Sequence, residues 1–149
     1  MALTKDRVIP EKKVSHGPEF PLLLANGFRV FRGSIAVVCQ DGTVVPAGTA
    51  APPSPAVAGA GVARHAQDNT GTSSVIGGQT GPGPLWCEKG CFGVPFDATP
   101  TWADVNKDVY AVDDETVSLT ETPASGTARI KVGTLSGIDA DGTAYVLFS

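Results

Sequence analysis

The chain has 149 residues, which suits one domain, and 18 glycines and 12 prolines make up a fifth of it. That density breaks helices every few residues, so a long-helix protein is excluded, and the absence of a three-residue glycine period excludes a collagen-like chain. A net charge of −4 argues against a general nucleic-acid binder, while 42% hydrophobic residues are enough to bury a core.

The charge is uneven. Residues 1–32 carry six basic groups (Lys5, Arg7, Lys12, Lys13, Arg29, Arg32) against three acidic ones, a balance of +3, and the rest of the chain carries −7. No apolar stretch follows Met1 as a secretory leader requires, and no run approaches a membrane span. Three cysteines, Cys39, Cys87 and Cys91, are too few for a disulfide scaffold. These features predict a chain made in a reducing cytoplasm, with no membrane partner and no nucleic-acid partner.

In chain order, residues 1–27 read as an extended N-terminal arm punctuated by Pro10, Pro18 and Pro21. Its basic groups Lys5, Arg7, Lys12 and Lys13 suit docking on an acidic surface, with Leu22, Leu23 and Leu24 as an apolar anchor. Phe28–Cys39 is the first strand signal, with a continuous apolar run from Ser34. Asp41-Gly42 is a hairpin turn into Thr43-Val44-Val45. Residues 46–61 are low in complexity and predict a loop, with a strand resuming at Gly61. Gln67–Ser74 is polar and turn-rich, and 77–84 is a second Gly/Pro-rich loop.

Thr99–Asp104 predicts one helical turn capped by Thr99. Val109–Val112 and Thr116–Thr120 are strands around the acidic turn Asp113-Asp114-Glu115. Ala128–Leu135 and Ala144–Phe148 close the chain as strands around Gly137–Gly142. The fold class expected is all-β: a small β-barrel or sandwich of about eight short strands with one helical turn over residues 28–149, plus the arm.

The chemistry search returns no phosphate loop and no GxSxG nucleophile elbow, so no enzyme and no cofactor is expected. Cys87 and Cys91, spaced CxxxC, are open to three readings: buried free thiols, a disulfide across the turn at Gly90, or a metal site with His16 or His65. Free thiols are the default and no metal is expected. Asp139 and Asp141 resemble the start of a calcium loop but lack its later ligands. Trp86 and Trp102 suit a core position, an interface or a carbohydrate platform.

Four stretches carry a likeness: RGSIAVVCQDGTVVPAGTA, GAGVARHAQDN, GVPFDATPTWADVNKDVYAVDDETVSLT and IKVGTLSGIDADGTAYVLF. In their order and spacing they resemble the small capsid decoration (cement) proteins of tailed bacteriophages, over about residues 30–149. The resemblance implies a β-barrel body on the outer face of an icosahedral head. It implies a virion structural protein that bridges major capsid subunits and stabilises the shell, acting as a homo-oligomer, a trimer before a dimer. Other readings are a tail, fibre or baseplate component, and a carbohydrate-binding module. The arm and CEKGC lie outside the likeness, so the arm's role rests on charge and composition alone.

Overall fold

In the computed structural model, residues 2–12, 20–72 and 78–149 are described. The fold is nearly all-β, with 39% of residues in strands and 2% in helix. A six-stranded sheet is built from β1 (Glu11–Lys12), β10 (Cys91–Gly93), β14 (Ala144–Phe148), β13 (Lys131–Ile138), β11 (Asp108–Ala111) and β12 (Val117–Ser118), in that spatial order. A five-stranded sheet has the order β2 (Leu23–Leu24), β5 (Thr43–Pro46), β4 (Ile35–Cys39), β6 (Ala56–Ala63), β9 (Cys87–Glu88). A small third sheet joins β3 (Arg29–Val30), β7 (Gln67–Asp68) and β8 (Gln79–Thr80).

The two larger sheets face each other. Their shared core holds Ile35, Val37, Cys39, Val45 and Val62 from the five-stranded sheet. Opposite lie Phe92, Val109, Val132, Leu135, Val146 and Phe148 from the six-stranded one. Phe92 and Phe148 meet edge to face at 6.0 Å. This is the sandwich arrangement, in which inward side chains of both sheets interdigitate.

A second core lies on the back of the five-stranded sheet, where Ala36, Val44, Ala60 and Ala63 meet Leu24, Val30, Leu85 and Cys87. The middle sheet is therefore covered on both faces, which explains the unbroken apolar run of β4. Successive residues go to opposite cores, so neither face has room for a polar one.

The strand count and the loops differ from the expectation. Fourteen short strands are present among the described residues, several of them only two residues long. The predicted loop at 46–61 contains most of β6, which starts at Ala56 rather than at Gly61. Its small residues are a packing requirement: a Cβ on Gly59 would stand 3.2 Å from the Cα of Val132 in the facing sheet. The predicted loop at 77–84 contains β8. Thr101, not Thr99, caps the short 3-10 turn Trp102–Asp104.

Bulges tune the six-stranded sheet. The β11–β13 register shifts between Val109 and Tyr110, leaving Val132 as the extra residue. Val132 and Leu135, an odd number of positions apart, can then both face the core. At Gly133 the neighbouring strand is so near that a Cβ would strike the Leu147 carbonyl and stand 3.0 Å from the Cα of Phe148. We predict that Gly133→Ala pushes β13 off β14 and costs about 1–3 kcal/mol, the usual range for overpacking. A chemical-denaturation midpoint unchanged from the parent chain would refute this.

Candidate interaction surface

The N-terminal residues do not stand away from the body. Residues 2–12 form a strap laid along it. The Leu3 amide donates to Asp114 Oδ1 at 2.9 Å, the Arg7 amide to the Arg32 carbonyl at 2.9 Å, and Arg7 Nε to the Gly33 carbonyl at 3.0 Å. The Arg32 amide returns a bond to Asp6 Oδ1, also at 2.9 Å. Pro10 accepts from the Gly93 amide, and Glu11 and Lys12 then pair with Phe92 and Cys91. The strap thus ends as the edge strand of the six-stranded sheet.

Beneath the strap lies a buried carboxylate. Asp114, read from sequence as one of three turn acids, is almost fully enclosed and accepts from Leu3 and from Ser34 Oγ at 3.0 Å. Burial pushes its carboxyl above the ordinary range, against the pull of those bonds. Burial also lowers the Arg7 guanidinium, while Glu115, Asp114 and Asp113 act to raise it. Its neighbour Asp113 is a turn former, accepting from the Glu115 and Thr116 amides.

The seven residues predicted to dock on a partner are thus divided. Lys5 is exposed. Arg7 is half-buried in a cleft of about 310 Å³ that it shares with Arg32, Arg64, Glu11 and Glu88. The backbone of Lys12 is tied into β1, and Lys13 lies outside the described residues. Leu22 bridges to Leu85, with each amide donating to the other's carbonyl. Leu23 is 53% exposed, whereas Leu24 is only 2% exposed in the second core. Leu24 is therefore a core residue and cannot serve as an anchor on a partner. The boundary drawn at residues 27 and 28 cuts through the five-stranded sheet, because β2 pairs in parallel with β5.

The residues weighed for chemistry have structural tasks. Cys39, Cys87 and Cys91 are free and buried, so there is no Cys87–Cys91 disulfide. Burial pushes the Cys87 thiol up to about 12. His65 places Nδ1 3.0 Å from the Ala66 carbonyl and Nε2 3.3 Å from the Trp86 amide. An imidazole protonated on Nδ1 satisfies both. His16 lies outside the described residues. Asp139 and Asp141 accept from the Ala140 and Thr143 amides and so shape the β13–β14 hairpin. No group of three His, Cys, Asp or Glu is placed to hold a metal ion among the described residues.

Residues 67–74 read from the sequence as polar and turn-rich, but Gln67 and Asp68 form β7 and are buried. Asp68 accepts from Arg29 at 2.9 Å and from the Thr70 amide and hydroxyl at 2.9 and 2.5 Å. Hydrogen bonds from Thr70, then from Arg29, hold its carboxyl below the usual range. The pairing of Arg29 with Asp68 is legible only once β3 lies beside β7.

Of the two tryptophans, Trp86 is half-buried and Trp102 is 68% exposed. The turn carrying Trp102 is fixed by its cap. Asp104 Oδ2 accepts from the Thr101 amide at 2.7 Å and from its hydroxyl at 2.9 Å, and Oδ1 accepts from Lys107 at 2.8 Å. Lys107 first, then Thr101, hold this carboxyl down at about 2. The outer surface therefore offers an exposed lysine on the strap, exposed Phe20, exposed Leu23 on β2, and one exposed indole on a capped turn. A scan against protein-family models finds no match to this chain, and neither does a search of curated proteins or of solved structures.

Proposed function

We propose that the chain is a virion structural protein that decorates and stabilises the outside of a tailed-phage head by joining neighbouring major capsid subunits. One observation carries the reading. The four stretches that resemble decoration proteins hold β4, β5, β11, β12, β13, β14 and the second half of β6, which supply most of the residues that meet in the sandwich core. The likeness thus falls on core strands of this chain rather than on scattered turns. The exposed groups fit a role in adhesion, since Lys5, Val8, Phe20 and Leu23 present charge and apolar area along the first part of the chain. Many copies bound weakly to a repeating lattice hold it strongly through multivalency.

The test is binding of the full chain to undecorated heads, located by cryo-electron microscopy. Saturable density on the outer head surface is expected, with heads made more resistant to heating. The double variant Lys5→Glu, Leu23→Asp should bind at least tenfold more weakly while unfolding at the parent temperature. Density confined to the tail, or no binding at all, would overturn the reading.

A further inference from the structure

A cleft of about 430 Å³ lies between the two larger sheets. Val37 of β4, Val45 of β5 and Ala111 of β11 line it, and all three belong to the shared core. Half-buried Ala56 and Ile130, packed against that core, line it as well. Its other residues come from two connections, one from β5 to β6 and one from β12 to β13. Thr49, Ala50 and Pro52 belong to the first, and Thr127, Ala128 and Arg129 to the second.

Both connections are pinned, which holds the cleft open. Gly48, at φ +79°, lies so close to the end of β11 that a Cβ would stand 2.7 Å from the Asp113 Cα. Thr49 Oγ1 donates to the Pro46 carbonyl at 2.6 Å. In the second connection, the Arg129 amide donates to the Glu121 carbonyl at 2.9 Å and Arg129 Nη1 to the Thr120 carbonyl at 3.0 Å. The Ala111 amide ties Ile130 to β11 through its carbonyl at 3.0 Å. Alanine at positions 56 and 111 leaves space that a larger side chain would fill.

Size and charge select the occupant. An apolar cavity of about 150 Å³ holds benzene, and small-molecule sites run from about 300 to 1,000 Å³. Fourteen residues line this cleft, fewer than the roughly 20–30 that each side of a standard protein interface uses. The one charged residue among them, Arg129, donates to Thr120 and lies 3.6 Å from Asp97 Oδ2. An ionised ligand would therefore find no uncommitted counter-charge, while exposed Thr127 offers a hydroxyl to one polar atom. We propose that the cleft binds a small neutral molecule with an apolar body of about two or three rings, seated against Val37, Ala56, Ala111 and Ile130. A single hydrogen-bonding group of that molecule meets Thr127. This site goes beyond the capsid reading, and neither depends on the other.

Fluorescence titration of the full chain with the neutral probe N-phenylnaphthylamine tests this. Saturable binding of one probe per chain is expected. The methyl NMR signals of Val37, Ala56 and Ile130 should shift on binding, while those of the exposed Val8 and Leu23 stay in place. Ala56→Phe fills the cleft and should weaken binding about tenfold or more. Ala128→Trp, at an exposed position beside the cleft, should do the same and serves should the first variant fail to fold. The anionic analogue anilinonaphthalene sulfonate should bind more weakly than the neutral probe. Four results would each overturn the proposal: no saturable binding, shifts confined to Val8 or Leu23, unaltered binding in the folded variants, or a sulfonate that binds as tightly as the neutral probe.

Discussion

A chain lacking residues 1–27 is expected to lose its cooperative unfolding transition, whereas one lacking residues 1–12 keeps it at a lower midpoint. The difference lies in what each segment touches. Residues 2–12 meet the body through a few hydrogen bonds, the partly buried Ile9 and one edge-strand pairing. Residues 22–27 are built into it. Leu24 is packed against Val30, Val44 and Leu85 in the second core, its amide donates to the Pro82 carbonyl, and its carbonyl accepts from Asn69 Nδ2. The Ala25 amide donates to Val44, and the Gly27 amide to Asn69. Truncating one such buried leucine costs about 2–5 kcal/mol. Removing it with its strand, the Leu22–Leu85 bridge and Ala25 exceeds the roughly 5–15 kcal/mol that holds a domain of this kind together. Circular dichroism through a thermal melt reads the outcome. A sigmoidal transition in the shorter chain would show that the second core closes without β2.

The same residues show how far the sequence can be read. The unbroken run of β4, the Asp-Gly hairpin and the last strand are written in patterns of several residues, and each lies where it was expected, whereas β13 runs Lys131–Ile138, three residues later than the expected Ala128–Leu135. Leu24 is not, because a two-residue strand has no period to detect and Leu22-Leu23-Leu24 is uniformly apolar. Only the partner strand decides which of the three turns inward. β6 was hidden for another reason. Its alanines and glycines carry weak strand propensity, and they are small because Val132 and Glu88 come so close. A Cβ on Gly61, whose φ is +112°, would stand 2.5 Å from the Glu88 carbonyl oxygen. Asp68 and Asp114 were read as turn acids, the common use of aspartate. Their burial depends on Arg29 and Leu3, more than thirty-five residues away in sequence. The exposed side of the surface is harder still. Nothing in the spacing of Trp102 separates a core indole from a projecting one until Gly137 is placed beneath it.

Asp114→Ala is expected to cost about 2–4 kcal/mol at neutral pH and to free the strap. The substitution leaves the Leu3 amide and the Ser34 hydroxyl without their acceptor, and each such orphan costs about 1–3 kcal/mol. For a chain of this size the loss lowers the melting temperature by roughly 5–15 °C. Asp114→Asn should cost far less, since its carbonyl oxygen can still accept from Leu3 and no charge is then buried. The pH dependence separates the two contributions of the native carboxylate. Burial raises its folded pKa above the unfolded value, so the folded chain binds the proton more tightly. That contribution to stability is complete below the unfolded value and is lost as pH rises through the folded one. The wild-type chain should therefore gain on Asp114→Asn as the pH is lowered from neutrality into the carboxylate range. Limited proteolysis of the strap should follow the same order, fastest in Asp114→Ala. An advantage of wild type over Asp114→Asn that grows with rising pH would mean that the hydrogen bonds from Leu3 and Ser34, with the attraction of Arg7, and not desolvation, govern this carboxylate.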